Sequence, residues 1–377
     1  MNPPQGTFDA IVVGGGPGGS TAAWRLARSG ARVALLDAAR FPRVKLCAGW
    51  VTPTVWRTLE LDPLSYQLTL QPFSSATLEL DGDVFETTWP RTASYGIVRR
   101  EFDHFLLERA RHAGATVREG ERVRGIARAG ELMRVETDAF PLTARILIGA
   151  GGHNCPVARA LGEISPGEAT VVTQESETRV GAERLRSLTR RAGTPELFAE
   201  PDFRGYGWYF TKGDYLNLGI GCLGDGRDLH RRCRTMVEHL RADGRLAPDL
   251  EIEPMRGHAY AIRVEKPRRV AGAGFLLVGD AAGLARAVSG EGIGPAVESG
   301  ALAAEAALRS LNGTGPKGAA EWYSAAIERR FGSGEPGRME RLAGLLPHAA
   351  LERLGRAVCR SGLLRRRLLF EGAFGMG

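Results

Sequence analysis

The pattern of apolar and polar positions begins with a strand, a helix and a second strand. Residues 8–14 form an apolar run, interrupted only by Asp9, that ends in glycine, which is typical of a buried parallel strand. A helical stretch over residues 20–29 follows, and Gly30 is placed to terminate it. A second apolar run occupies residues 33–36, with Asp37 directly behind it. This order predicts a βαβ unit at the start of an α/β fold.

Further along the chain the pattern changes twice. Residues 68–90 alternate apolar and polar side chains, which predicts antiparallel strands, and residues 100–113 return to a helical period. Mixed β-like runs fill residues 165–265. A short apolar run at 275–278 predicts another buried strand that ends at a Gly-Asp pair, and from about residue 320 onward the pattern is helical.

Composition narrows the class of protein. The 377 residues are 43% hydrophobic, which is enough for packed cores and too apolar for a disordered chain. The sequence contains no apolar run of the ~18 residues that a membrane-spanning helix needs, and its first residues lack the pattern of a secretion signal. The five cysteines are scattered without a CxxC pair, so the sequence predicts neither a disulfide framework nor a metal site, and it favours a cytoplasmic location.

The formal charge of +7 is carried almost entirely by arginine. No dense basic run with interleaved aromatic residues occurs in the body of the chain, so we expect no nucleic-acid partner. Within residues 351–370 six arginines stand against Glu352. There the sequence places four apolar residues near one helical face, which predicts either peripheral contact with an anionic membrane or a helix packed on the core; the four are Leu351, Leu354, Val358 and Leu368.

The first chemical motif is Gly14-x-Gly16-x-x-Gly19, between the first strand and the first helix. Gly14 permits a tight turn, Gly16 lets the backbone approach a pyrophosphate, and Gly19 lets the helix pack closely on the strand. Free N–H groups at the helix N-terminus favour phosphates. Asp37 ends the second strand and can accept hydrogen bonds from ribose hydroxyls. The motif therefore predicts dinucleotide binding, with Asp37 disfavouring a 2′-phosphate by about 1 kcal/mol in water and about 4 kcal/mol in a partly desolvated pocket.

A second motif decides between NAD and FAD. Asp280 follows the strand predicted at 275–278, and Ser289–Gly294 is a second glycine loop that precedes a helix. An acid at this strand end can hold a ribityl hydroxyl, and a helix N-terminus can stabilise negative charge on a reduced flavin. Because a nicotinamide dehydrogenase needs no such distant loop, the sequence predicts FAD, bound in part by Asp280, Gly290, Gly292 and Ile293.

These motifs give the chain a resemblance to known flavoproteins over about residues 8–310. The two glycine motifs and the helix start at Arg99–Asp103 resemble the superfamily of p-hydroxybenzoate hydroxylase. The segments Phe41–Gly49 and Gly205–Phe210, together with the second motif, resemble the geranylgeranyl reductase family. The resemblance implies tight FAD binding, electrons from a reduced carrier, and hydrogenation of isoprenoid double bonds in lipids or quinones.

Several site residues follow from the resemblance. It places Cys47 close to the flavin, where the thiol can donate a proton or is simply a small buried side chain. Arg43, Lys45 and Arg99 are assigned to the cofactor, with a solvated helix start as the alternative for Arg99. Three aromatic side chains alternate along a predicted strand and therefore face one side, where they line an apolar substrate tunnel or belong to the core; they are Tyr206, Trp208 and Phe210.

The sequence also departs from the family's pattern. Cys47-Ala48-Gly49 stands where the family has Cys-Gly-Gly, and Thr211 replaces a proline. Residues 150–152 are Ala-Gly-Gly, whereas aromatic hydroxylases of the superfamily carry Gly-Asp-Gly. The missing acid weakens the hypothesis that the protein is an aromatic hydroxylase. Three functions stay open: a reductase of prenyl or other apolar chains, a monooxygenase or halogenase of an aromatic natural product, and a flavin electron carrier to a quinone or protein partner.

The predicted architecture has three parts. A discontinuous Rossmann-like FAD-binding domain comprises residues 1–72, 96–162 and 268–312. An inserted antiparallel-sheet substrate domain comprises 73–95 and 163–267, and residues 313–377 form a helical C-terminal region. The sequence shows no separate nicotinamide-binding βαβ unit, so NAD(P)H would bind transiently, and reduced ferredoxin or another donor protein is equally compatible.

Overall fold

The computed structural model describes residues 7–189, 191, 193–224, 226–264, 267–334 and 347–377. The strands are β1 (Thr7–Val13), β2 (Val33–Asp37), β3 (Trp50–Val51), β4 (Leu70–Phe73), β5 (Ser75–Leu80), β6 (Asp83–Thr88), β7 (Ser94–Ile97), β8 (Thr116–Glu119), β9 (Val123–Ala129), β10 (Leu132–Thr137), β11 (Leu142–Gly149), β12 (Thr170–Arg179), β13 (Glu196–Ala199), β14 (Gly205–Lys212), β15 (Tyr215–Leu223), β16 (Arg256–Ala261), β17 (Ala271–Gly272) and β18 (Phe275–Leu277).

The helices are α1 (Pro17–Arg28), α2 (Pro53–Leu59), α3 (Arg99–His112), α4 (Pro156–Ala160), α5 (Ala182–Leu188), α6 (Leu229–Ala242), α7 (Ile293–Arg309), α8 (Gly315–Phe331), α9 (His348–Arg360) and α10 (Gly362–Leu364). Short 3₁₀ segments lie at Pro63–Ser65 and Gly279–Ala282, and π-helical segments at Ser310–Thr314 and Arg365–Ala373.

The first sheet is the predicted Rossmann-like layer. Its strands lie in the order β17-β18-β11-β1-β2-β8, and the β9–β10 hairpin joins the start of β11. The pairs β18–β11, β11–β1, β1–β2 and β2–β8 are all parallel, which brings their carboxyl ends to one edge. The helices α1, α7 and α8 supply buried side chains to the same core. Ligands of such sheets bind at the carboxyl edge.

Two glycines allow the close contacts at this edge. Gly14 has φ of +113°, in the region that favours glycine, and a Cβ there would overlap the Ala150 carbonyl oxygen. A Cβ at Gly19 would overlap the Gly14 carbonyl oxygen. Gly300 of α7 serves the same purpose, since a Cβ there would overlap the Gly18 carbonyl oxygen of α1.

The second sheet has seven strands in the order β16-β12-β15-β14-β13-β5-β6. It is antiparallel as predicted, except that β13 and β5 are parallel, because the chain between them leaves this sheet for the first one and returns. A small third sheet has the strand order β3-β7-β4. Its strands occur where the chain passes from the first sheet to the second and back. The architecture is therefore the predicted one, a Rossmann-like α/β layer with an inserted sheet and a helical C-terminus. The exact domain boundaries stay a prediction.

The prediction of one C-terminal helix over residues 351–370 is wrong in one respect, because the helix is interrupted at Ser361. The backbone of Ser361 is extended, and its hydroxyl accepts a hydrogen bond from the Leu364 N–H, which starts a new helical segment. Arg365 is buried and donates to the carbonyl oxygens of Glu86 and Cys359. Arg356 pairs with Asp81, so the basic surface is smaller than the arginine count suggests.

Candidate functional site

A cavity of about 920 Å³ extends from the carboxyl edge of the first sheet to the second sheet. Gly14 and Gly16 lie at one end of it. The other end is largely apolar and is lined by Leu78, Leu197, Trp208, Cys359, Leu369 and Phe374. The cavity therefore joins a dinucleotide-type loop to a chamber suited to an apolar ligand.

The glycine loop is fixed by Asp37 at the end of β2. One carboxylate oxygen accepts the Gly15 N–H at 2.7 Å, and the other accepts the Ala39 N–H at 2.8 Å. Both Asp37 and Gly16 line the cavity, and Gly16 is the N-cap of α1. Gly19 does not line it, because its role is the close packing of α1 on the loop.

Arg43 and Arg99 meet on a buried carboxylate. The Arg99 Nε and a terminal nitrogen donate to the two oxygens of Asp103 at 2.7 and 2.9 Å, and Arg43 lies 3.2 Å from the same carboxylate. Burial by itself would lower the pKa of Arg99, but the Asp103 charge outweighs it and the net pKa is raised. Arg99 is thus a buried cation on the cavity wall, so the alternative of a solvated helix start is wrong.

Lys45 lies on the cavity wall beside two histidines that sequence reasoning missed. Its Nζ is 3.0 Å from His258 Nε2, and burial followed by the Arg99 charge lowers the pKa of Lys45. Burial and then Lys45 lower the pKa of His258 to about 3, so this imidazole is neutral and can accept the hydrogen bond. Burial likewise lowers the pKa of His153. The histidines are dispersed along the sequence, so no motif indicated that His153 and His258 lie beside Lys45.

Asp280 begins the predicted second motif, and burial raises the pKa of its carboxyl group despite the nearby charge of Lys45. The turn around it is held by Arg268, which is buried and donates to the carbonyl oxygens of Asp280 and Ala281 at 3.3 and 3.1 Å. Arg268 Nε also donates to Glu168 at 2.8 Å. No sequence signal distinguished Arg268 from the other arginines.

The loop before α7 brings Gly290, Gly292 and Ile293 to the cavity, as predicted positions of the cofactor site. The Tyr206 hydroxyl donates to the Ser289 carbonyl oxygen and so ties this loop to the second sheet. Glu291 also lines the cavity, and burial raises the pKa of its carboxyl group to about 7, although its partner Arg286 opposes the shift.

The three aromatic residues of β14 face one side, but only two of them reach the cavity. Tyr206 and Trp208 line it, and their ring centroids are 6.1 Å apart. Phe210 is 1% exposed and packs against Trp50 and Phe73, with centroids 5.7 and 5.6 Å away. These two side chains of the small third sheet cover the far end of β14, so Phe210 belongs to the core and not to the proposed tunnel.

Cys47 lies half-buried on the cavity wall, in the loop after β2. Its Sγ accepts a hydrogen bond from the Gly49 N–H at 3.3 Å, and Arg99 is a second hydrogen-bonding neighbour. The other four cysteines are buried.

The residues at the glycine-loop end fit FAD. Gly16 leaves open space at the N-terminus of α1, where a Cβ would have only an Arg43 nitrogen near it, at 3.7 Å. The half-buried Asp280 lies further along the same wall, with a carboxylate oxygen 3.1 Å from where a Cβ of Gly292 would be. Diphosphate, ribityl and ring can therefore be held in sequence along one cavity. The fold and this arrangement define the protein as an FAD-dependent oxidoreductase.

The comparisons with known proteins agree with this class. The model of the FAD binding domain family matches residues 7–331. Geranylgeranyl diphosphate reductase of Rhodobacter capsulatus is 32% identical over 328 residues, which cover 82% of this chain and 77% of that protein. Menaquinone reductase of Mycolicibacterium smegmatis is 30% identical over 317 residues, which cover 79% and 75%.

Solved structures show the same fold. A geranylgeranyl bacteriochlorophyll reductase-like protein from Thermoplasma acidophilum has a TM-score of 0.78 at 20% identity and covers 97% of this chain and 96% of that one. The myxobacterial chondrochloren halogenase has a TM-score of 0.66 at 21% identity and covers 93% and 90%. The chain belongs to the FAD binding domain family and, within it, to the geranylgeranyl reductase-like oxidoreductases.

Proposed function

We propose that the protein reduces carbon–carbon double bonds of a prenyl lipid, a prenylated quinone or another apolar substrate by hydride transfer from reduced flavin. The observation that carries the proposal is the continuity of the cavity, which runs from the glycine loop to an apolar chamber walled by Trp208, Leu369 and Phe374. Two relatives are named as reductases of a geranylgeranyl compound and of menaquinone, which supports this substrate class.

The protein's own residues would do three things in this reaction. Gly16 and the N-terminus of α1 would hold the diphosphate, with Arg43 and Arg99 as nearby cations. Asp37, Asp280 and the loop at Gly290–Ile293 would hold the sugar, the ribityl chain and the ring edge. Tyr206 and Trp208 would exclude water from the substrate chain. Reduced flavin supplies a hydride, and the sequence suggests Cys47 or water as the source of the accompanying proton.

The test is a single turnover without oxygen. The flavin of the purified protein is reduced chemically, so that the identity of the donor, NAD(P)H or ferredoxin, does not matter, and a geranylgeranyl lipid or a menaquinone is added. We expect the oxidised flavin band to return and mass spectrometry to find product that has gained hydrogens in pairs. Flavin that stays reduced until air enters would rule out these substrates.

A monooxygenase or halogenase acting on an aromatic compound is the second candidate, because the halogenase cited above shares the fold. This candidate predicts that reduced flavin reacts productively only when oxygen and an aromatic substrate are both present. A flavin electron carrier would instead pass electrons to a quinone without adding hydrogen to its side chain. The product analysis of the same experiment separates the three.

We also propose that the C-terminal segment contacts an anionic membrane. In the part of the chain that the structure describes, no helix is both long and apolar enough to cross a bilayer. Four leucines of this segment are nevertheless between 38% and 69% exposed, beside arginines, and its Leu369 and Phe374 line the cavity; the four are Leu354, Leu363, Leu364 and Leu368. An apolar substrate could thus pass from the lipid into the chamber.

We expect the protein to sediment with phosphatidylglycerol vesicles at low salt and less at high salt. The double substitution Leu363→Ser and Leu368→Ser should reduce the bound fraction at least ~10-fold, since each exposed leucine that enters the interface contributes up to about 1.5–3 kcal/mol. Leu64→Ser is the matched control, because Leu64 is 89% exposed and lies in a different surface segment. Wild-type protein that remains in the supernatant would overturn the proposal.

A further inference from the structure

Glu175 is a buried carboxyl group on the cavity wall, outside the residues assigned to the cofactor and to the substrate chain. It lies near the middle of β12, is 3% exposed, and lines the cavity together with Val171 and Thr173 of the same strand face. Its Oε1 is buried and has no hydrogen-bond partner among the described residues. Since buried polar atoms are almost always hydrogen-bonded, this atom is available to a ligand in the cavity.

The neighbours of Glu175 place it beside the predicted substrate chamber. A Cβ at Gly219, its partner in β15, would meet both the Trp208 ring and the Glu175 Cβ, the latter at 2.8 Å. The Glu175 side chain therefore starts beside the Trp208 ring, and both residues line the cavity. Tyr260 of β16 faces the same region and is electrostatically coupled to Glu175.

The charged groups around Glu175 do not neutralise it. Among the neighbouring cations, Lys212 of β14 lowers the pKa of Glu175 the most. Its Nζ, however, is 2.5 Å from Glu177 and donates to the carbonyl oxygens of Ala48 and Ile97. An ammonium group has three N–H donors, so none remains for Glu175. Lys45 and Arg99, across the cavity, also lower the pKa of Glu175, whereas Glu177 of the same strand raises it.

Burial dominates this balance and raises the pKa of Glu175 to about 7, with Lys212 opposing the shift. Both protonation states are therefore populated at neutral pH, which is the condition for an efficient general acid. Cys47 is placed differently, because its sulfur accepts a hydrogen bond from Gly49 and faces the Arg99 guanidinium. That sulfur already has hydrogen-bond partners in the protein, whereas the Glu175 Oε1 has none among the described residues.

We propose that Glu175 is the catalytic acid that protonates the substrate when its double bond is reduced. This inference rests on the proposed reductase function. One alkene carbon receives a hydride, with its two electrons, from reduced flavin, and the other receives the proton from the Glu175 carboxyl group. Two new C–H bonds replace the π bond, the O–H bond of Glu175 breaks, and the flavin is oxidised by two electrons. The carboxylate regains its proton from water.

The test uses Glu175→Gln, which keeps the shape of the side chain but has no acidic proton. In the oxygen-free single turnover we expect substrate to reoxidise the flavin of this variant about 10²–10⁴ times more slowly than that of the wild type, the usual contribution of a general acid. The wild-type rate should fall as the pH rises above about 7, since the acidic form is the donor. The variant should show no such dependence. Glu175→Asp should regain part of the rate and the pH dependence.

A second readout does not depend on turnover. Infrared difference spectra of the protein without flavin or substrate should show protonated carboxyl intensity that titrates near pH 7 and comes from both Glu175 and Glu291, and Glu175→Gln should lose the part that belongs to Glu175. Glu305→Gln is the matched control, because Glu305 is exposed on α7 and pairs only with Arg309 among the contacts that the structure gives; it should keep both the full carboxyl intensity and the rate.

The outcomes separate this proposal from the proposed function. Wild-type protein that reduces a prenyl substrate, with Glu175→Gln equally fast and equally pH-dependent, would overturn the role of Glu175 and leave the reductase in place. Wild-type protein that shows the carboxyl intensity of Glu175 but reduces no prenyl substrate would overturn the reductase, and the proposed role of Glu175 with it. A Glu175→Gln spectrum with the same carboxyl intensity as the wild type would contradict the proposal directly.

Discussion

Gly16→Ala should give a protein that folds normally but retains little FAD. Gly16 has φ of −71° and ψ of −178°, a conformation that any residue adopts, and the nearest atom to an added Cβ is 3.7 Å away. The flavin-free chain can therefore accept the methyl group without strain. The space it fills is the approach to the N-terminus of α1, where backbone N–H groups would bind the diphosphate.

The loss can be estimated from the bonds involved. A hydrogen bond to a charged group contributes about 1.5–3 kcal/mol, so losing one or two of them weakens FAD binding by about 100-fold. We would measure the flavin content after purification, the Kd by fluorescence titration, and the Tm of the flavin-free proteins. Comparing the flavin-free forms matters because a bound ligand raises the Tm by itself.

Gly30→Ala is the matched control, and we expect the opposite result from it, a loss of stability without a loss of FAD binding. Gly30 follows α1, has φ of +84°, and has open space around an added Cβ. The left-handed backbone should therefore cost about 1–2 kcal/mol of stability while FAD binding stays normal. A Gly16→Ala protein with a full complement of flavin would show that the diphosphate does not pass over this residue.

The parts of the site that the sequence predicts are those built from contiguous residues. The glycine loop follows β1 directly, Asp37 ends the next strand, and Asp280 follows an apolar strand; each motif lies within one turn between two elements. Local patterning and turn chemistry suffice for such motifs. The cofactor end of the cavity could therefore be predicted from the sequence alone.

The parts that sequence reasoning missed depend on contacts between distant segments. Lys212 binds a carbonyl oxygen 164 residues earlier, and Arg268 pairs with Glu168 from 100 residues away. Phe210 has the same strand periodicity as Trp208, and the packing of Trp50 and Phe73 against it removes it from the cavity. One clue to Lys212 was available: lysine occurs only four times in the chain, so each one is unusual.

Lys212→Met should be the most destabilising of the substitutions considered. Lys212 is 0% exposed, although lysine is almost never fully buried without a partner. Its ammonium group pairs with Glu177 and binds the carbonyl oxygens of Ala48 and Ile97, so it links β12 and β14 to the loop that carries Cys47. Methionine fills similar volume but leaves one carboxylate and two carbonyl oxygens without their partner.

Removing one member of a buried ion pair costs about 3–5 kcal/mol. Because the Glu177 side chain is 25% exposed, we expect the lower end, about 3 kcal/mol, measured as the free energy of unfolding in urea. Lys317→Met is the matched control, since Lys317 is exposed on α8, and it should change stability by less than about 0.5 kcal/mol. We also expect Lys212→Met to slow flavin reoxidation by substrate, because the Cys47–Gly49 loop loses its anchor.

The cause of the loss can be separated by a second substitution. If the cost comes mainly from the unpaired charge of Glu177, then adding Glu177→Gln to Lys212→Met should recover part of the stability, whereas Glu177→Gln alone in the wild type should destabilise. The two carbonyl oxygens would still lack their donor, so recovery should be incomplete. Equal stability of Lys212→Met and Lys317→Met would mean that the lysine neither anchors the loop nor balances Glu177, and the packing of β14 against residues 47–49 would then depend on apolar contacts alone.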